Sequence, residues 1–124
     1  EKKKEREKEG ERESILVVAG GYDVRERENV EYLEELKDLV RRKGGDNRII
    51  FRVNITTEEK ENLLLSATAL LYTPDNEHFG IVPVEAMSMR CPVIAVNSGG
   101  PRETVIHGET GFLCDQVRER ERER

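Results

Sequence analysis

Two glutamates set out the first chemical possibility in this sequence. Glu77 sits in a polar run, Asn76-Glu77-His78-Phe79-Gly80, and Glu85 follows inside the apolar stretch Ile81-Val82-Pro83-Val84-Glu85-Ala86-Met87. A carboxylate can accept hydrogen bonds from both hydroxyls of a vicinal diol. If a helix starts near Gly80, its first amides have no intrahelical acceptor, and such an end favours anions such as phosphate. Side chains on a helix lean toward its N-terminus, so Glu85 and the loop residue Glu77 can face one cleft. Two carboxylates around a phosphate-binding helix end suit a ribose on one side and a hexose on the other. The plainer alternative stays open on spacing alone: Glu77 as a capping residue and Glu85 as a solvated helix glutamate.

Asn97-Ser98-Gly99-Gly100-Pro101 is a second candidate loop. Paired glycines allow a backbone to approach a ligand closely, and proline suits the first position of a helix. An ordinary strand-to-helix turn would have the same residues. Gly20-Gly21 offers a similar choice after an apolar run, but it is not GxGxxG, so the dinucleotide fingerprint is absent. The two histidines, His78 and His107, lack metal-ligand spacing with any cysteine or carboxylate set. His107-Gly108 reads as the end of a short helix. His78 lies in the candidate cleft loop, where a sugar contact and loop packing are both open. Met87 and Met89 read as core. No serine–histidine–aspartate or cysteine–histidine arrangement can be argued.

These residues need elements to hold them. Ile15–Ala19 is a short β-branched run of the kind buried on both faces of a parallel sheet. Val30, Leu33, Leu36, Leu39 and Val40 recur at helical spacing, and Gly44-Gly45 can end that helix. Arg48–Val53 predicts a second strand, and Thr56 with Glu59 matches a capping box ahead of a second helix. Ala69–Tyr72 predicts a third strand, stopped by Pro74-Asp75-Asn76. A helix follows over about Gly80–Met89, with Pro83 tolerable only in its first turn. Pro92–Val96 is a fourth strand, Pro101–Ile106 a short helix, and Gly111–Cys114 a fifth strand. Strands alternating with helices predict an α/β fold with a Rossmann-like parallel sheet, flanking helices and ligands at the carboxyl ends of the strands. The loops Gly20–Arg25, Thr73–Gly80 and Asn97–Pro101 would then share one edge. There is no internal repeat.

Charge is unevenly distributed. Residues 1–13 contain six acids and six bases, and residues 118–124 contain three acids and four bases, with no apolar residue in either run. The tails are therefore nearly neutral, and they read as solvated helix or disorder rather than basic arms. The whole chain carries −5, a balance that argues against a nucleic-acid backbone as the main partner. No run approaches the roughly 18 apolar residues of a membrane span, so the chain by itself reads as soluble and cytosolic. Cys91 and Cys114, far apart and without CxxC spacing, read as reduced, packed thiols.

Taken together, the loops resemble one family. Tyr72-Thr-Pro-Asp-Asn-Glu77-His-Phe-Gly80-Ile-Val-Pro-Val-Glu85-Ala-Met is similar to the Glu-x7-Glu signature of retaining GT-B glycosyltransferases. Cys91-Pro-Val-Ile-Ala-Val-Asn-Ser-Gly-Gly-Pro101 and Glu103 follow, and His107-Gly-Glu-Thr-Gly-Phe-Leu-Cys114 is like that family's G-x-T-G-x-L stretch. Leu16-Val-Val-Ala-Gly-Gly-Tyr-Asp23 and Glu28-Asn-Val-Glu-Tyr32 look like the eukaryotic α-1,3/1,6-mannosyltransferases that extend the dolichol-linked glycan. The resemblance covers about 15–115.

The resemblance implies a domain order of a charged tail at 1–14, a partial nucleotide-sugar-binding domain at 15–116, and a charged tail at 117–124. It implies GDP-mannose as donor, no protein-bound metal and no other cofactor. Glu77 would hold the mannose hydroxyls, with His78 beside it, and Glu85 the ribose. Phe79, Gly80 and Ile81 would present backbone amides, Gly99 and Gly100 would shape the phosphate side, and about 53–56 would lie near the guanine. The resemblance also implies a place at the cytosolic side of the endoplasmic reticulum. Its acceptor-binding half, which would take the lipid-linked oligosaccharide, and the Arg and Lys that grip the diphosphate are not matched here. The chain alone is therefore expected to be inactive in transfer. Two other readings stand beside this one: a non-catalytic interaction protein working through its charged tails, and a related enzyme using a UDP- or ADP-sugar.

Overall fold

A computed structural model describes residues 14–115, so the charged tails expected at either end lie outside the described residues. The architecture is the expected α/β class: five parallel strands alternating with helices, in two compact units divided after Thr56.

In the first unit, β1 (Leu16–Gly20) pairs in parallel with β2 (Ile49–Val53), Leu16 opposite Ile49 and Gly20 opposite Val53. The crossover between them is α1 (Arg27–Lys43), a 17-residue helix. Its expected apolar stripe is present, with Val30, Leu33, Leu36 and Val40 partly covered, although Leu39 stays exposed. Gly44 ends the helix in the left-handed region at φ 72°, and the Gly45 amide donates back to the Val40 carbonyl at 3.0 Å. That is the reason for glycine here, since a Cβ disfavours that backbone region. The expectation that the first strand is buried on both faces is corrected: Ile15 and Leu16 are exposed. A two-stranded ribbon with one crossover helix has too few neighbours to cover both faces of an apolar run.

The second unit contains the core. Here β3 (Leu70–Tyr72), β4 (Val93–Val96) and β5 (Gly111–Cys114) form a parallel sheet in the order β3-β4-β5. Each unit thus has its own parallel sheet, of two strands in the first and three in the second. The helices are α2 (Thr57–Ser66), α3 (Ile81–Ser88) and the single turn α4 (Pro101–Thr104). The central strand decides the packing: Val93 and Ala95, two apart, point to one face and are fully buried with Leu64, Ala86, Cys91 and Val105. Leu70, Tyr72, Met87, Met89 and Leu113 pack around this cluster, so both methionines are core residues as expected.

Cys91 is a buried free thiol, and burial pushes its pKa up. Cys114 corrects the expectation of two packed thiols. On the edge strand β5, Gly111 and Leu113 turn inward while Phe112 and Cys114 turn outward, leaving the second thiol exposed.

Candidate functional site

The loop that carries Glu77 begins where β3 stops at Tyr72. Pro74 cannot extend the ladder, and Asn76 takes a left-handed turn at φ 55°, which asparagine tolerates better than most residues. Glu77, His78 and Phe79 then run along the surface before Gly80 turns into α3 at φ 74°. No side chain caps this helix. The amides of Ile81 and Val82 therefore stand at a helix start without an intrahelical acceptor. Pro83, third in the helix and buried, has no amide to lose. Phe79 and Ile81 are 54% and 55% exposed, so neither side chain is anchored in the core.

The second loop locks the first. Gly100 donates its amide to the Glu77 carbonyl at 2.6 Å. Ser98 Oγ accepts from the Asn76 amide at 3.0 Å and donates to Asp75 Oδ1 at 2.6 Å. A side chain at Gly99 would collide with the Glu77 backbone, and one at Gly100 with the Phe79 carbonyl. The paired glycines thus let backbone meet backbone. Their close approach is to the Glu77 loop, and the Gly100 amide is spent on holding it.

Two further contacts define the electrostatics. Tyr72 packs beneath Gly80, where an added Cβ would lie 3.0 Å from the phenol oxygen. Burial, and then the Glu77 carboxylate, push the Tyr72 pKa up from its ordinary value. Glu77 itself is exposed on the loop. Glu85, one turn into α3, is drawn toward α2: Lys60 Nζ approaches its Oε2 at 2.9 Å. His78 is exposed in the loop.

His107 lies beyond the helix end expected of it, since α4 stops at Thr104, and its contacts are structural: its Nδ1 accepts from the Leu113 amide at 3.0 Å and its ring meets Phe112 edge-on. In the first unit, Gly20 and Gly21 have open space where a Cβ would point. The Asn54 side chain clamps the Tyr22 backbone there, accepting from the amide at 2.8 Å and donating to the carbonyl at 2.6 Å. Gly21, Tyr22 and Asn54 line a shallow hollow of about 650 Å³ with Asp23, Arg25 and Asn29. Arg25 hydrogen bonds hold the Asp23 carboxyl below its usual range.

Lys60, Tyr72 and Ser98 make contacts with Glu85, Gly80 and the Glu77 loop that the sequence did not announce. Ser98 and Tyr72 lay inside runs already singled out. Lys60 gave no signal, because nothing local links it to a glutamate on another helix. Among the described residues no three His, Cys, Asp or Glu side chains cluster to hold a metal, and no helix is long and apolar enough to cross a membrane.

The family model for glycosyl transferases group 1 matches residues 3–122. The chain is 55% identical over 86% of its length to the α-1,3/1,6-mannosyltransferase ALG2 of Dictyostelium discoideum, and 56% identical over 81% to that of Homo sapiens. It spans about a quarter of those relatives, 25% and 24%. Among solved structures it is similar to Anabaena HepE in complex with UDP-glucose, with a TM-score of 0.73 and 30% identity over 86% of this chain and 28% of that one. The sucrose-phosphate synthase of Thermosynechococcus elongatus gives a TM-score of 0.71 and 32% identity over 81% of this chain and 25% of that one. Matched almost end to end by that model, the chain belongs to the group 1 glycosyl transferase family.

Proposed function

We propose that this chain is the donor-binding portion of a mannosyltransferase that takes GDP-mannose and, within a longer protein, passes mannose to a lipid-linked oligosaccharide at the cytosolic side of the endoplasmic reticulum. The observation that carries the reading is the Glu77 loop, fastened by Gly99 and Gly100 at the open N-terminus of α3. Identity above 50% to two α-1,3/1,6-mannosyltransferases supports the choice of sugar.

In this reading Glu77 accepts hydrogen bonds from mannose hydroxyls, with His78 on the same loop near the sugar. The amides around Phe79, Gly80 and Ile81 meet the donor's diphosphate, where the helix start stabilises negative charge as it builds on the leaving group. Glu85 accepts from the ribose hydroxyls. Gly99 and Gly100 act by keeping the Glu77 backbone in place. No metal is invoked, because the helix amides take the electrostatic task within this chain.

Calorimetric titration of the chain with GDP, GDP-mannose, UDP and ADP tests this. Saturable binding that favours GDP is expected, with loss of at least about tenfold in affinity on Glu85→Ala, since hydrogen bonds to a charged group contribute about 1.5–3 kcal/mol. A preference for UDP would favour a UDP-sugar enzyme instead, a reading to which the UDP-glucose complex of HepE lends weight. Indifference to every nucleotide would overturn both and leave an interaction protein.

A further inference from the structure

The contact between Lys60 and Glu85 joins two helices of the second unit and is not accounted for by the donor contacts above. Lys60 lies in the first turn of α2 and Glu85 in the middle of α3. Nζ and Oε2 are 2.9 Å apart, with the lysine side chain 38% and the glutamate side chain 34% exposed. That partial exposure is unevenly shared. Oε2 itself has no solvent contact and no aligned hydrogen bond, so the ammonium group is its one partner. A solvated helix glutamate would keep both oxygens in water. A carboxylate oxygen withdrawn from water costs free energy unless a cation or donor meets it.

We propose that Lys60 is a positioning residue of the donor site: it pins Oε2 of Glu85 so that the other oxygen, Oε1, is presented to the vicinal hydroxyls of a nucleotide ribose. The inference rests on the reading of Glu85 as the ribose acceptor. Lysine suits the task, because its flexible stem and three rotatable donors can bring a point charge to one oxygen. With Oε2 occupied, the carboxylate loses a rotational degree of freedom before ligand arrives, and the diol meets an acceptor already oriented. Lys60 acts through Glu85 and touches no ligand atom.

A plain tether between α2 and α3 would use the same pair, and the ribose separates the two roles. Affinity for GDP and for 2′,3′-dideoxy-GDP is measured by calorimetry on the full chain, unaltered and as Lys60→Met. The unaltered chain should bind GDP about tenfold or more tightly than the dideoxy analogue. Lys60→Met should weaken GDP by about tenfold and the dideoxy analogue by less than about twofold, because the lost energy belongs to the diol contact. Lys60→Arg, which keeps a cation within reach, should restore most of the difference. Equal weakening of both nucleotides would make the pair a tether and overturn the proposal, as would no weakening of either. An unaltered chain that binds neither nucleotide overturns the donor-site reading itself, and Lys60's role with it. Thermal melting verifies the fold of Lys60→Met and of Lys60→Gln, and whichever stays folded decides.

Discussion

The Tyr72 phenol sits between two influences that act in the same direction. Burial disfavours its phenolate, and the nearby Glu77 carboxylate repels that charge, so the folded chain holds the proton more tightly than the unfolded chain does. The linkage follows. Stability from this group is intact below the ordinary tyrosine value of about 10 and is lost as pH rises through the higher folded value. Tyr72→Phe should therefore flatten the alkaline decline in stability seen by denaturant melts. Glu77→Gln should bring the Tyr72 titration, followed by phenolate absorbance, back toward its ordinary position. A Tyr72 titration unchanged by Glu77→Gln would mean that the carboxylate does not face the phenol. Glu77 and Glu85 were legible as candidates because glutamates beside a helix start are a chemical pattern. The Tyr72 environment was not, since the sequence shows a strand-ending aromatic but not the loop that folds back over it.

Between elements, the glycines divide into those that pack and those that do not. Gly100 meets the Phe79 backbone so closely that a methyl group has no room, and both sides of the collision are main chain. Gly100→Ala should cost about 1–3 kcal/mol in urea denaturation, the usual penalty for forcing volume into a packed place. Gly21→Ala, with open space where its Cβ would point, should change stability by less than about 0.5 kcal/mol. Equal losses would mean that the two loops relax apart at little cost. Both glycine pairs looked alike in the sequence, as Gly-Gly after an apolar strand. What separates them is the chain on the other side, which no local pattern records. The elements themselves were legible to within a residue or two. Val93 and Ala95 alternate with Ile94 and Val96 as a central strand must, and Gly44-Gly45 ends α1 where the apolar stripe runs out. The partial exposure of β1 was not legible, because an apolar run states its preference for burial and not how many neighbours it will find.

At the scale of the molecule, binding and stability are linked. A nucleotide that binds only the folded chain adds about 2.7 kcal/mol of stability at a hundredfold excess over its dissociation constant. Saturating GDP should therefore raise the melting temperature. Because the proposed site meets the diphosphate with helix amides, a chelator should leave that rise unchanged. A rise abolished by chelation would assign the diphosphate to a metal ion and overturn the metal-free reading. With a net charge of −5, the chain gives little long-range attraction to a nucleotide anion, and selectivity must come from the short contacts in the loops.

Periodicity, capping residues and turn chemistry were enough to determine the order and kind of the elements, the α/β class, and the two glutamates with the helix entrance between them. These are local properties, set by backbone geometry within a turn or a strand. Only the folded chain decided what the glycine pair at 99–100 approaches, that Cys114 is exposed, and that a lysine on α2 holds Glu85 from the side. Each of those depends on which distant segments meet, and contact across the chain is fixed by packing rather than by any residue's own preference.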